Sequence, residues 1–482
     1  MKTKLNKLIS ETISGEWGEE DIRFQNVNII RAANFNNDGT IDYSKLVERA
    51  ILKDLKENGI VKRIVDEKKI ETKKLIDEDI IIEKSGGGPQ TPVGRIVYFI
   101  NPDNKTYLCN NFTQIIRVDK NKIYPKYFFY GLQHLYDTKR VLKYQNQTTG
   151  LINLKLERYL QEEIEVPSLD IQLKIYTQLE IIQKLIDDRK KSILILEKLQ
   201  RSEFFNLFGD PVKNSKKFKT ISLSNSIFKI SSGFTPSRSN SDYFNGNILW
   251  AKSTDVKGEI IENTEETISE KAISETGAKV FLKGSVLIAM YGQGKTRGRV
   301  ALLGVNSACN QACAVINSTK FSNKFLFSLF NYSYDYLRSL SKGGNRDNLS
   351  LTILKRIKII NPIIELQIKY ENLFDEIYKQ KQELQQSLEL LEKLFQSVLH
   401  NSFNENIQIN ETPIFNELIK EFNLVDLKSN NDRLQNLINL FNNNKFNDVE
   451  SYNDARNKLF ELMDEGVITQ KFKNDKIELQ IK

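Results

Sequence analysis

The chain contains the same helix twice, about two hundred residues apart, and that repeat limits its architecture more than any other feature. Residues 153–208 and 348–403 align without a gap at a constant offset of 195. Asn153-Leu154-Lys155-Leu156 meets Asn348-Leu349-Ser350-Leu351, Pro167 meets Pro362, Gln172 meets Gln367, and Leu196-Glu197-Lys198-Leu199 meets Leu391-Glu392-Lys393-Leu394. From 166/361 to 208/403, 13 of 43 aligned positions are identical with no insertion, so both the length and the register of this segment are held. A helix that sets a spacing needs both.

Upstream the repeat continues, but its offset drifts. Ser14-Gly15 pairs with Ser232-Gly233 at 218, and Gly39-x-Ile41 with Gly258-x-Ile260 at 219. Asp79-Ile80-Ile81-Ile82 and Gly86 pair with Ser285-Val286-Leu287-Ile288 and Gly292 at 206. Gly94-Arg95 pairs with Gly298-Arg299 at 204, and Cys109-Asn110-Asn111 with Cys309-Asn310-Gln311 at 200. Drift of this kind is what loop insertions on a common scaffold produce. The reading is an α+β protein: two globular domains of shared fold, each followed by a long helix, with a small C-terminal appendix.

The expected divisions are 1–160, a helix within 161–212, 213–360, a helix within 361–404, and an extension from 405 to 482. Each globular part is long enough to bury its own core. Short apolar runs punctuated by Gly, Asn and Asp predict strands at Ile80–Glu83, Arg95–Ile100, Tyr107–Leu108 and Ile115–Val118. In the second part they fall at Ile248–Ala251, Ser285–Met290, Val300–Leu303 and Ala314–Ile316. Residues 44–74 read as helical, an insertion that accounts for most of the fall in offset from 219 to 206.

The long helices should start near Leu169 and Ile364, just past a proline. In the second, Tyr370, Leu373, Ile377, Leu384, Leu388, Leu391, Phe395 and Val398 recur at three- and four-residue spacing, interrupted by Lys381. In the first, Ile175, Ile182, Ile186, Ile193 and Leu196 take the matching places. This narrow seam suits two helices pairing as a coiled coil. About 36 helical residues span roughly 54 Å.

Charge is unevenly placed. The net is +8, but residues 405–482 carry 10 Lys and Arg against 14 Asp and Glu, leaving +12 on the first 404. A basic body suggests a polyanionic partner. Residues 405–450 hold 12 asparagines and suggest mobility. Tyr452–Glu465 reads as a helix ended by Gly466, with a hairpin at Val467–Phe472 and Lys476–Ile481. That ending fits either the close of a small winged-helix unit or a plain docking appendix. No apolar run reaches the roughly 18–20 residues of a membrane span, and Met1–Leu5 lacks the core of a signal peptide. With three cysteines, a reduced cytoplasmic protein is expected.

The sequence offers no catalytic constellation. His134 and His400 are the only histidines, and packing or solvation accounts for both. Gly292-Gln293-Gly294-Lys295-Thr296 imitates a phosphate loop, but the first glycine of that motif, separated by four residues from its Gly-Lys-Thr, falls at Ala289. Cys309 and Cys313 have no second pair to complete a zinc site. The Asn-Pro-Pro-aromatic or Asp-Pro-Pro-aromatic run of an amino-methyltransferase is missing. Glu67-Lys68-Lys69 reads as a solvated face, not a nuclease metal site. The expectation is a protein that binds and is not itself an enzyme.

The binding candidates are polar loops in matching places. Glycine lets a backbone come close to a ligand, Lys and Arg suit phosphate or guanine, and Gln and Asn suit adenine edges. In the first domain they are Lys84, Ser85, Gly86 and Gln90, then Arg95, then Lys143, Gln145 and Gln147, with Arg31. In the second they are Gln293, Lys295, Thr296 and Arg297, then Arg299 and Gln311, then Arg346, with Lys252 and Ser253.

The run Ile230-Ser231-Ser232-Gly233-Phe234-Thr235-Pro236-Ser237, then Gly246-Asn247-Ile248-Leu249-Trp250, Lys283-Gly284-Ser285-Val286-Leu287-Ile288 and Cys309-Asn310-Gln311, resembles the DNA-specificity subunit of type I restriction–modification enzymes. With the repeated helices, the resemblance covers about residues 10–404. The first domain departs from it, having Ser14-Gly15-Glu16-Trp17 where the family has Ser-Gly-x-Thr-Pro, and residues 405–482 lie outside it. The resemblance implies two target-recognition domains, each reading half of a split asymmetric duplex site in the major groove, and an antiparallel coiled coil fixing their spacing. It implies two methyltransferase subunits and two restriction or motor subunits as partners. S-adenosylmethionine, ATP and Mg would be bound by those partners, with no cofactor or metal on this chain. Other readings are a DNA-recognition adaptor of another phage-defence complex, a self-contained methyltransferase or nuclease, and a coiled-coil scaffold.

Overall fold

The computed structural model describes residues 2–403 except 22, 25–26, 58–59, 88–90, 149–150, 293 and 341–347; beyond 403 it describes 434–435, 438, 458–459, 462–463, 466–473 and 476–481. Two compact units emerge, Met1–Asp187 with Glu389–Lys482, and Asp188–Leu388, so the divisions between them fall inside the long helices.

In the first unit a four-stranded antiparallel sheet runs in the order Ile9–Ser14, Thr113–Val118, Ile80–Glu83, Ile96–Tyr98. Ile80, Ile81 and Ile82 are fully buried, as expected of a central strand covered on both faces. Beside it, Val27–Ile30 pairs in parallel with Tyr107–Cys109 and antiparallel with Val47–Arg49. The second unit repeats this plan. Its sheet runs Phe228–Ser232, Cys313–Ser318, Val286–Ala289, Val300–Leu303, Ile260–Ile261. Ile248–Ala251 again pairs in parallel with Ala308–Cys309. All eight expected strands are present within a few residues of their predicted bounds.

One internal exchange shows how the two copies diverged without changing fold. Arg117 grips the buried Asp79 through Nε at 2.8 Å and Nη2 at 3.1 Å. At the aligned positions Asn317 donates to Ser285 at 2.9 Å. An ion pair in one unit is a neutral hydrogen bond in the other, and in each the buried polar groups find partners.

The expectation for residues 44–74 needs correction. This stretch is not one helix: Leu52–Glu57 and Ile60–Val65 form an antiparallel hairpin, followed by a seven-residue helix, Glu67–Lys73. The β-branched residues Ile60, Val61, Ile64 and Val65 favour a strand. Asn58-Gly59, between the two strands, is the dipeptide most typical of two-residue hairpins. Strand pairing here outweighs the weak local helix preference of the lysines in this stretch.

The long helices run Leu169–Phe208 and Ile364–Phe403, 40 residues each. The repeated glutamines hold their starts. Gln172 accepts from the Tyr124 main-chain N–H at 3.0 Å and donates to the Pro167 carbonyl at 2.9 Å. Gln367 does the same with Ser322 at 3.0 Å and Pro362 at 2.9 Å. Both side chains are buried, so each amide serves main-chain groups that water does not reach.

Within the second unit the two helices pack antiparallel. Arg189 donates to Ser387 at 3.2 Å, Glu197 pairs with Lys381 at 2.7 Å, and Phe204 meets the Tyr370 ring at 5.3 Å. The numbers rise along one helix as they fall along the other. Lys381, the polar interruption in the seam, is therefore the partner of Glu197. The seam positions Ile175, Ile182, Ile186, Tyr370, Ile377, Leu391 and Val398 are buried.

At the C-terminus, Ile468–Lys473 and Lys476–Ile481 pair as the expected hairpin. Gly466 is left-handed, with φ 75°, and its N–H reaches the Met463 carbonyl at 3.0 Å, a common way to end a helix. Leu434, Ile438, Leu459, Leu462 and Ile468 form a small core of their own. Nearly all of the Asn-rich stretch 405–450, and most of the helix expected at 452–465, lie outside the described residues.

Candidate nucleic-acid interface

The ends of the sheet strands gather the candidate loops at one edge of each unit, through the same main-chain bonds in both. Asn110 N–H donates to the Ile30 carbonyl at 3.0 Å, and Asn310 N–H to the Ala251 carbonyl at 2.9 Å. Glu16 N–H reaches Cys109 at 2.7 Å, as Phe234 N–H reaches Cys309 at 2.9 Å. Lys84 N–H reaches Phe112 at 2.7 Å, as Met290 N–H reaches Ala312 at 2.7 Å. Leu154 N–H reaches Lys84 at 2.7 Å, as Leu349 N–H reaches Met290 at 3.0 Å. These bonds bring four chain segments together: the turn after Gly15 or Gly233, the turn at Asn110 or Asn310, the start of the glycine-rich loop, and the Asn-Leu-x-Leu run.

The same geometry explains the paired Ser-Gly. A Cβ on Gly15 would lie 1.8 Å from the Asn110 carbonyl oxygen, and one on Gly233 would lie 2.1 Å from the Cys309 oxygen. Only glycine lets these chains pass so closely.

In the first unit the candidate residues divide into held and available groups. Arg95 is held: it pairs with the buried Glu83 through Nε at 3.0 Å and Nη2 at 3.1 Å, and Nη2 also reaches the Ala32 carbonyl at 3.1 Å. Arg31 donates through Nη2 to the Lys45 carbonyl at 2.7 Å. Gln145 donates to the Val93 carbonyl at 2.8 Å. Ser85 donates to Asn153. Gly86, with φ 124°, pairs with Ile152 in a small sheet. Lys84 is half-buried and Lys143 is exposed. Gln90 lies outside the described residues, as does the side chain of Gln147.

In the second unit Lys252 is held by Glu265 at 3.0 Å and Glu266 at 2.9 Å. Hydrogen bonds from Arg238 and Lys252 bring the Glu266 carboxyl down to about 2. Ser253, Thr296, Arg297 and Arg299 are half-buried, and Lys295 and Gln311 are exposed. Gln293 and Arg346 lie outside the described residues, so the candidates are only partly brought together here. Two residues that sequence reasoning missed shape this loop. Tyr334 donates to the Lys295 carbonyl at 2.7 Å, and Arg338 donates to the Gly294 carbonyl at 2.8 Å and the Arg297 carbonyl at 3.3 Å. Their spacing in sequence carried no sign of this role.

The chain thus builds one domain plan twice, each copy with polar and basic loops at one sheet edge and each followed by a 40-residue helix. Residues 215–393 match the family model of the type I restriction modification DNA specificity domain. The chain is 24% identical over 330 residues to the type I restriction enzyme MjaIX specificity subunit of Methanocaldococcus jannaschii, a match spanning 64% of this chain and 74% of that protein. In fold it is similar to the crystal structure of the type I restriction-modification S subunit from M. genitalium. That likeness has a TM-score of 0.53 at 14% identity and covers 84% of this chain and 96% of that one. Residues 215–393 thus resemble a type I restriction modification DNA specificity domain, and the chain as a whole is similar to specificity subunits in sequence and fold. Among the described residues no helix is long and apolar enough to cross a membrane.

Proposed function

We propose that this chain is the DNA-reading subunit of a type I restriction–modification complex, and that its two units read the two halves of a split, asymmetric duplex site. The observation that carries this reading is the matching set of main-chain bonds that builds one loop edge twice. The loops on that shared frame differ: Glu83-Lys84-Ser85-Gly86-Gly87 in one, Ala289-Met290-Tyr291-Gly292 in the other. One scaffold with two sets of side chains suits two different half-sites, because sequence is read by side chains on base edges while main-chain and basic groups hold the phosphates.

In this reading the paired helices set the gap between half-sites, and methyltransferase subunits dock on them. Leu194, Ile195 and Leu199 of the first long helix are 56%, 54% and 43% exposed, an apolar stripe that suits a protein partner. Restriction or motor subunits complete the complex. S-adenosylmethionine, ATP and Mg belong to those partners, and this chain does no chemistry.

Methylation mapping in cells that express the chain with a type I methyltransferase subunit tests the reading. The expected result is adenine methylation at one bipartite motif with a fixed unspecified gap. A contiguous motif, or no motif dependent on this chain, overturns it.

A further inference from the structure

The first unit carries an element for which the described residues of the second show no counterpart: a β-ribbon at the edge where the loops gather. Gln145–Thr148 and Leu151–Leu154 pair antiparallel, and Ser85–Gly86 extends them to three strands. Gln145–Thr148 is the outer strand.

Side chains alternate between the faces of such a ribbon. Its inner face is committed to the domain. Leu154 is buried, and Gln145, opposite it, donates to the Val93 carbonyl at 2.8 Å. The next register row turns the other way. Asn146 stands opposite Asn153, and Asn153 opposite Ser85. This row crosses all three strands on the outward face. Ser85 donates to Asn153, which fixes the inner two members of the row. Asn146, on the outer strand, is exposed. Leu151 and Phe112, 48% and 46% exposed, and the exposed Lys143 complete the surroundings.

Ser85–Gly86 pairs only with Asn153 and Ile152, so Gln145–Thr148 and Leu151–Leu154 continue past it as two strands, and a two-stranded ribbon fits the major groove of B-form DNA. A short amide on its outward face can accept from adenine N6 and donate to adenine N7 at once, and exposed apolar side chains suit thymine methyl groups. We propose that this ribbon is the reading element of the first unit and that Asn146 reads an adenine in its half-site. Lys143 serves the phosphates. Gln145, on the inner face, supports the ribbon and does not read. This assignment rests on the function proposed above and names the residue that delivers it.

The test uses the full-length chain in complex with its methyltransferase subunits and a pool of randomised duplexes. The wild-type complex should select one bipartite site. Asn146→Ala should lose preference for adenine at one position of one half-site, by about 5- to 150-fold, with every other position unchanged. Asn146→Asp should shift that position toward cytosine, whose N4 amino group donates to a carboxylate. Lys143→Ala should weaken all sequences evenly and lower the salt dependence. If Asn146→Ala leaves every base preference intact while the wild type selects a bipartite site, the ribbon assignment is overturned and the proposed function stands. If the wild type selects no site, the function proposed above fails, and this assignment with it.

Discussion

At the residue scale, the clearest lesson concerns Arg95. Its place after a glycine, at the start of a strand and beside the glycine-rich loop, suggested a DNA contact. The structure commits it to Glu83, a carboxylate that is only 2% exposed and whose burial demands a cation. The pairing with Glu83 raises the guanidinium above its ordinary value. Removing one partner of a buried pair leaves the other charge stranded, which costs about 3 kcal/mol or more. Arg95→Ala should therefore lower the stability of the first unit by that amount, read by urea titration. If the variant unfolds like wild type but loses discrimination in one half-site, Arg95 is a reader after all.

At the scale of elements, the far end of the second long helix packs within the first unit on the helix Pro125–Asp137. The Phe403 ring lies 4.8 Å from Tyr127 and stacks on His134 at 5.8 Å, and Phe395 meets Tyr130 at 6.0 Å. Gly131 keeps this contact close, because a Cβ there would sit 3.1 Å from Phe403. His134 is nearly covered, and burial, then His400 and Arg140, push its imidazole down to about 4. The unfolded chain takes up this proton near pH ~6.5, the folded chain only near pH 4. Below about pH 6.5 the unfolded state binds more protons, so stability falls as the pH drops toward 4. Melting temperatures measured across pH 7.5 to 4 should decline less steeply for His134→Gln than for wild type. Parallel curves would count against the contact as the cause.

At the scale of the whole molecule, the proposed function gives the two helices of the ungapped repeat the part of a ruler. Four residues inserted after Gln183 add about 6 Å of helix, close to two base pairs at ~3.4 Å each. The insertion should lengthen the unspecified gap of the methylated motif or abolish methylation. An unchanged gap at full activity would refute the spacer role while leaving the two readers in place.

How much of this was legible in the chain varied with the kind of signal. Periodicity and repetition were read well: Leu169 and Ile364 begin the long helices, and the eight strands lie where apolar runs stand between turn residues. Residues 44–74 were read less well, because their charged composition masked a β-branched hairpin. The site was legible as loops and not as residues. Arg95, Gln145 and Lys252 look like free polar side chains in sequence, yet each has an intramolecular partner. Asn146 looks no different from its neighbours.

The sequence by itself determined the duplication, the length and register of the helices, and the matching places of the glycines in both copies. Each of these depends on spacing along the chain. Only the tertiary structure decided which polar groups are spent within the protein and which remain for a partner. That depends on which side chains meet across strands distant in sequence, and on which face of a ribbon the core already covers.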